Sequence, residues 1–179
     1  MLAKILLVTA TLLVVLGVVI ALRPTDFRYT RTATMAAPPA AVFAQVNDLH
    51  KWEAWSPWAK LDPAAKMTYE GAAAGVGSSY SWSGNNEVGE GRSTIVESQT
   101  GGLIRLKLEF VRPFTGTNDV EFTFKPEGAQ TVVTWTMTGK NNFMGKAVGL
   151  VMYCEKMCGG QFEQGLASLK AIVEGTPNS

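Results

Sequence analysis

Residues 50–63 read HKWEAWSPWAKLDP and place Trp52, Trp55 and Trp58 within one short segment. The whole chain has five tryptophans, so this segment holds most of them. Indole is a large apolar group whose single N–H needs a hydrogen-bond acceptor when it is buried. The segment therefore predicts a cluster that closes a core or lines the mouth of a pocket. It does not indicate which ligand such a pocket would bind.

Downstream of the tryptophans, apolar and polar residues alternate in several runs, as they do in half-buried strands. The clearest run extends from Ile104 to Phe110, where apolar side chains alternate with Arg105, Lys107 and Glu109. The predicted strands lie near residues 28–36, 66–71, 79–83, 89–98, 104–110, 120–125 and 133–138. Because short turns join them, we expect an antiparallel sheet with one covered face.

Helical patterns flank the predicted sheet in the sequence. Pro38-Pro39 favours a helix over residues 40–46, since proline suits the first helical turn. Asn47 or Asp48 can cap a second short helix through the tryptophans, which Pro57 is expected to end.

The last long segment, residues 147–173, repeats apolar residues every three or four positions and predicts one helix of up to about 30 residues. Gly159-Gly160 in its middle indicates a bend or a close approach of the sheet, and we expect the bend. The order of elements predicts an α+β helix-grip fold. In it a curved antiparallel sheet of about seven strands wraps around a long C-terminal helix.

The N-terminal segment from Leu2 to Leu22 is almost continuously apolar and is interrupted only by Lys4. About 20 such residues span the hydrocarbon core of a bilayer, and the run is long for a cleaved signal peptide. We therefore expect a transmembrane anchor over residues 1–23 and a linker over residues 24–27. A single domain over residues 28–174 and a disordered tail over residues 175–179 complete the prediction.

Charge limits the partners and leaves the membrane side open. Without Lys4, the chain has 15 basic and 15 acidic residues, so it lacks the basic excess that nucleic acid requires. Arg23, Arg28 and Arg31 follow the apolar run, which by the positive-inside rule would place the domain in the cytoplasm. A short tail before a long apolar run is also typical of an export signal. On balance we expect a single-pass membrane protein whose domain lies outside the cytoplasmic membrane.

Residues that could carry chemistry are few, and each has a simpler structural interpretation. His50 is expected at the surface or at a helix cap, and Asn141 or Asn142 as a cap of the last helix. Glu155 and Lys156 are expected to face solvent, while Glu87 and Glu90 have no obvious acid–base partner. Cys154 and Cys158 lie on one helical face, and we interpret them as small buried hydrophobes. We expect no metal site and no cofactor, because the chain has one histidine and two cysteines.

Several motifs together resemble the SRPBCC superfamily, the helix-grip proteins that include START lipid-transfer domains and polyketide cyclase/dehydrase-like proteins. The motifs are residues 37–43 (APPAAVF), Asn47-Asp48, residues 52–58 (WEAWSPW), residues 75–82 (GVGSSYSW) and residues 139–146 (GKNNFMGK). The likeness covers about residues 27–174. The tryptophan–serine–proline–tryptophan run is the sharpest match and resembles membrane-anchored bacterial members of the superfamily.

This resemblance implies a deep cavity between the curved sheet and the long helix. It does not imply one activity, because the fold carries several functions. The iron-dependent branch needs a histidine pair, and His50 is the only histidine. The cavity is expected to be mostly apolar. The candidate cavity residues are Trp55, Trp58, Tyr80, Trp82, Leu106, Leu108, Phe110, Phe122, Phe124, Trp135, Met137, Met144, Val151, Cys154 and Phe162.

Three functional hypotheses follow. The favoured one is a membrane-tethered binding or carrier domain for a hydrophobic, lipid-like small molecule. The second is a polyketide cyclase/dehydrase-like enzyme in which Tyr80 or His50 takes part. The third is a protein-interaction module that exposes Trp55 and Trp58.

Overall fold

A computed structural model describes residues 1–151 and 154–175 of the chain. Its helices are α1 (Leu2–Ala21), α2 (Pro39–Val46), α3 (Trp52–Trp55), α4 (Pro57–Leu61), α5 (Phe143–Val151) and α6 (Cys154–Glu174). Its strands are β1 (Asp26–Met35), β2 (Lys66–Glu70), β3 (Ser79–Ser83), β4 (Glu90–Gln99), β5 (Leu103–Arg112), β6 (Gly116–Glu127) and β7 (Gln130–Lys140).

The seven strands form one curved antiparallel sheet in the order β1-β7-β6-β5-β4-β3-β2. Each neighbour except the β1–β7 pair is joined by a connection between consecutive strands, as the alternating sequence predicted. The inward positions of the central strands are buried, among them Leu106, Phe122 and Trp135. The helix-grip α+β fold is therefore confirmed, with α6 packed against β1 on the covered side of the sheet.

The helices between β1 and β2 carry the tryptophan segment onto the core. Pro39 lies at the start of α2, as expected, and the Asp48 side chain accepts a hydrogen bond from the His50 backbone N–H at the start of a 3-10 turn. Pro57 ends the tryptophan helix as predicted, but it also begins α4. Proline is suited to that first position because it needs no N–H partner there. This second start, which the sequence analysis missed, places Trp58 beside the core.

The C-terminal segment is helical over Phe143–Val151 and over Cys154–Glu174. Residues 152 and 153 join α5 and α6 and lie outside the described part, so the single long helix stays a prediction at this point. The Asn142 side chain accepts a hydrogen bond from the Gly145 N–H at 2.8 Å, so the expected asparagine cap is present at α5.

Helix α6 runs without interruption through Gly159 and Gly160, where we had expected a bend. The structure supports the other explanation, close approach of the sheet. A Cβ at Gly159 would collide with the guanidinium of Arg31 on β1. Arg31 Nε lies 2.6 Å from the Glu163 carboxylate on α6. Glycine therefore lets an ion pair between strand and helix form where a larger residue would block it.

Helix α1 is apolar and long enough to cross a membrane, by length and composition. Its mean hydropathy is 2.6, and only 6% of its apolar window is buried inside the protein. Strand β1 begins at Asp26, two residues earlier than the domain boundary that the sequence suggested. The connection between α1 and the sheet is therefore short.

Candidate functional site

Six aromatic side chains meet where α6 crosses the sheet, and we call them the ring cluster: Trp52, Trp55, Trp58, Phe122, Trp135 and Phe162. Trp135 stacks on Phe162 of α6 with ring centroids 4.3 Å apart. The Phe122 and Trp135 centroids are 4.7 Å apart, and those of Trp55 and Trp135 are 5.7 Å apart. Strand, short helices and long helix therefore all contribute rings to one packed group.

Local sequence explains how these rings come together. Trp52 and Trp55 are three residues apart and lie on one face of α3, while Pro57 begins the helix that carries Trp58. Gly165 of α6 lies over the Trp135 ring so closely that a Cβ there would approach the ring to 2.8 Å. The long helix can grip the sheet at this point only because residue 165 has no side chain.

The indole N–H groups of this region are satisfied unequally. Trp52 Nε1 donates to the Val46 carbonyl oxygen at 2.8 Å, and Trp82 Nε1 donates to that of Val88 at 2.9 Å. Trp55 and Trp135 are 0% and 2% exposed, yet neither indole N–H has an acceptor among the described residues. Buried donors are almost always paired, so two unpaired donors in one cluster require an explanation.

A second row of rings extends from the cluster along the sheet and is only half-buried. Tyr80 lies between Trp52 and Trp82, with ring centroids 6.2 Å and 5.7 Å away. Phe110 contacts Trp82 edge-on at 5.8 Å. Burial of the phenol, with a smaller contribution from Tyr69, raises the pKa of Tyr80 well above its usual value. Like an ordinary tyrosine, Tyr80 is protonated at neutral pH and can donate a hydrogen bond.

The structure brings most of the predicted cavity residues to one side of the sheet. Buried there are Trp55, Leu106, Phe122, Phe124, Trp135, Met137 and Phe162. Half-buried are Trp58, Tyr80, Trp82, Leu108 and Phe110. Met144 differs, because its position on α5 leaves it 52% exposed. The side chains of Val151 and Cys154 lie outside the described residues.

Trp52 belongs to the ring cluster although the sequence analysis did not name it as a cavity residue. The three-residue spacing from Trp55 was the signal that could have identified it. Cys158 packs against the core, but it is only half-buried where the sequence predicted a buried side chain.

Among the described residues, the packed rings of the ring cluster occupy the centre of the space beneath α6, where the resemblance implied a deep cavity. Two pockets stand out on the described residues, and neither is lined by ring-cluster residues. One, of about 220 Å³, lies on the outer face of the sheet beside Arg105 and Glu121. The other, of about 510 Å³, lies between α1, β1, α5 and α6 and is lined by Arg23, Tyr29 and Lys146, among others.

The side chains with possible acid–base roles do not meet in one place. His50 is exposed, and its ring stacks on Tyr69 at 4.2 Å beside Asp48. Glu155 and Lys156 are exposed, as expected. Among residues 1–151 and 154–175, no group of three or more His, Cys, Asp or Glu side chains is placed to hold a metal ion.

Comparison with known proteins agrees with this architecture. Residues 26–174 match the family model for "Polyketide cyclase / dehydrase and lipid transport". The chain belongs to this family. The match covers the sheet and α2–α6 and leaves out α1. No curated protein matches the chain by sequence.

Solved structures show the same fold at low sequence identity. Protein CV1439 from Chromobacterium violaceum is 19% identical with a TM-score of 0.60, over 87% of this chain and 100% of that one. The Aha1 dimer from Colwellia psychrerythraea is 15% identical with a TM-score of 0.60, over 83% of this chain and 96% of that one. The di-domain ARO/CYC StfQ of the steffimycin biosynthetic pathway is 12% identical with a TM-score of 0.61, over 84% of this chain and 51% of that one. The family and its fold support a hydrophobic-ligand-binding helix-grip domain.

Proposed function

We propose that the protein is a membrane-tethered binding or carrier domain for a hydrophobic small molecule that bears an acceptor oxygen. The guest binds between the sheet and α6, within and beside the ring cluster. Helix α1 serves as an uncleaved anchor, and the domain lies outside the cytoplasmic membrane. The family match and the apolar lining support the ligand class, and the length and exposure of α1 support the tether.

The unpaired indole N–H groups of Trp55 and Trp135 carry this proposal. Leaving a buried donor without an acceptor costs about 1–3 kcal/mol. A guest whose carbonyl or hydroxyl oxygen accepts from one or both indoles would recover that free energy, while its apolar part packs against rings. The binding site would therefore select an apolar molecule with an oxygen over a plain hydrocarbon.

Entry of a guest requires the cluster to open, and Trp58 is the ring best placed to move. It is half-buried, whereas the other five rings of the cluster are buried. Its ring covers Trp135 and Phe162 with centroid distances of 5.8 Å and 6.2 Å. We propose that the guest enters beside Trp58 and meets the two unpaired indoles behind it.

Native mass spectrometry of the domain from Pro24 onward, purified without harsh detergent, tests the proposal. Helix α1 lies outside the family match and is largely exposed, so the domain can be produced without it. We expect a bound lipid-like molecule. We also expect a medium-chain methyl ketone to bind more tightly than the matching alkane. The double variant Trp55→Phe/Trp135→Phe should remove that preference. Trp82→Phe should keep it, because the Trp82 N–H is already paired with the Val88 carbonyl oxygen. Empty protein that takes up neither the ketone nor a fluorescent fatty acid would refute the proposal.

The two other hypotheses receive less support from the geometry. A cyclase needs a base and a stabilising donor in one place. Tyr80 is held protonated, and the ring of His50 is exposed and stacked on Tyr69. An interaction module that exposes Trp55 and Trp58 is disfavoured, because Trp55 is fully buried.

A further inference from the structure

Exposed apolar side chains of the domain concentrate at the end from which α1 emerges. Ten large apolar side chains are exposed among the described residues of the domain, and six of them form the face defined below. The other four are Leu61, Met67, Val76 and Val96. We define the anchor-end face as six exposed residues on the end of β5, the β5–β6 turn, α5 and the start of α6. They are Val111, Phe114, Phe143, Met144, Leu150 and Met157, each 38–56% exposed.

The strand register shows that these residues share one end of the sheet. Asp26 at the start of β1 lies opposite Lys140 at the end of β7. The β5–β6 turn follows Phe110, which pairs with Gly116, and Asn118 pairs with Gly139 near the end of β7. Helix α6 starts at the same end, since Glu155 is near Arg31 and Glu174 is near Ala36.

Helix α5 lies at the level where α1 ends. Lys146 Nζ donates to the Ala21 carbonyl oxygen at 3.2 Å. The 20 residues of α1 extend about 30 Å, the thickness of the hydrocarbon core, so Ala21 would lie at the headgroup boundary. Phe143 and Leu150, seven residues apart on one face of α5, would then lie at that boundary too.

Charge at this end complements an anionic surface. The pocket of about 510 Å³ is lined by three cations, Arg23, Lys146 and Lys156, and by two acids, Asp26 and Glu155. Glu155 lies 3.7 Å from Arg31, which offsets part of its charge. Basic side chains next to a membrane span attract anionic lipid headgroups.

We propose that the anchor-end face rests on the bilayer that α1 spans. Its apolar side chains enter the interface, and the cationic pocket contacts anionic headgroups. The inference rests on the tether in the proposed function. It adds that the domain has one fixed orientation relative to the bilayer instead of moving freely on its linker. The lipid surface is chosen over a second copy of the chain because α5 contacts the end of the exposed anchor helix through Lys146 and Ala21.

Fluorescence quenching on the full chain in vesicles tests this orientation. In a background with Cys154 and Cys158 replaced by serine, single cysteines are introduced by Phe143→Cys and Phe114→Cys and labelled with an environment-sensitive dye. Val14→Cys in α1 reports the tether, and Val76→Cys at the opposite end of the domain is the matched exposed control. Nitroxide-bearing lipids and aqueous iodide serve as the two quenchers.

Docking predicts that the Phe143→Cys and Phe114→Cys labels are quenched by lipid nitroxides and shielded from iodide, while the Val76→Cys label shows the reverse. In vesicles of phosphatidylcholine with phosphatidylglycerol, Lys156→Gln should lower the ratio of docked to undocked domain about fivefold, because one cation that attracts the anionic headgroups is lost. In phosphatidylcholine alone, Lys156→Gln should have little effect.

Two outcomes would overturn the orientation while leaving the tether intact, provided that the Val14→Cys label is quenched by lipid. One is that all domain labels behave like Val76→Cys. The other is that the Phe143→Cys label is shielded from both quenchers, which would mean that protein covers this face. Failure of the Val14→Cys label itself to be quenched would refute the tether and the orientation with it.

Discussion

Trp55 and Trp135 hold two of the three buried side-chain polar atoms that lack a hydrogen-bond partner in the described structure, and the third is Oε1 of Gln161. Trp52, in the same cluster, has its N–H paired with the Val46 carbonyl oxygen. The three tryptophans are alike in burial and differ in hydrogen bonding. They therefore form a matched set for measuring what an unpaired indole costs.

We expect Trp52→Phe to destabilise the guest-free domain more than Trp135→Phe does, by about 1–3 kcal/mol. Both variants lose similar apolar area. Trp52→Phe also breaks a buried hydrogen bond and leaves the Val46 carbonyl unpaired, whereas Trp135→Phe removes a donor that had no partner. Urea unfolding followed by circular dichroism measures the difference. Equal losses would indicate that a water molecule pairs with Trp135.

Tyr80 predicts a pH effect of definite sign. Its pKa is raised in the folded protein, chiefly by burial, so the neutral phenol is favoured there. The corresponding stability is present below the unfolded pKa of about 10 and is lost as the pH rises above it. The free energy of unfolding should therefore decline more steeply above pH 10 in the wild type than in Tyr80→Phe. Parallel curves from urea unfolding would contradict this assignment.

Among the elements, the stability of α6 depends on what surrounds each of its glycines. Gly165 lies against the Trp135 ring and Pro57, while Gly160 has open space around it. We expect Gly160→Ala to stabilise the domain by up to about 1 kcal/mol, because alanine is the better helix former. Gly165→Ala should destabilise it by about 1–3 kcal/mol, because the added methyl overpacks a buried ring. Thermal unfolding of the two variants checks both signs, and the same sign for both would refute the packing described.

The elements were largely predictable from the sequence, and their ends and contacts were less so. Alternation over residues 104–110 predicted β5, and Pro39 predicted α2, because period and backbone chemistry act locally. The dual role of Pro57 was missed, and at Gly159 a bend was preferred over the close approach of Arg31 that the structure shows. Both features depend on residues distant in the chain. The candidate site shows the same limit. The tryptophan spacing predicted a ring cluster, but which indole N–H groups stay unpaired depends on tertiary packing.

At the scale of the whole molecule, α1 and the helix-grip domain are expected to fold independently. The family match begins at residue 26, and α1 is largely exposed. The chain lacking residues 1–23 should therefore unfold within a few degrees of the full chain, when both are compared in the same mild detergent. A much lower midpoint for the shortened chain would show that α1 stabilises the domain through α5.

The most direct test of the central claim is to observe the indole N–H groups by NMR while a guest is added. Labelled tryptophan side chains give one N–H signal for each of the five residues, and Trp→Phe variants assign them. On titration with a medium-chain methyl ketone, we predict that the Trp55 and Trp135 signals move downfield as they gain an acceptor. The paired Trp52 and Trp82 N–H signals should stay nearly in place. If the Trp55 and Trp135 signals do not respond to any apolar oxygen-bearing guest, the proposed binding site does not exist.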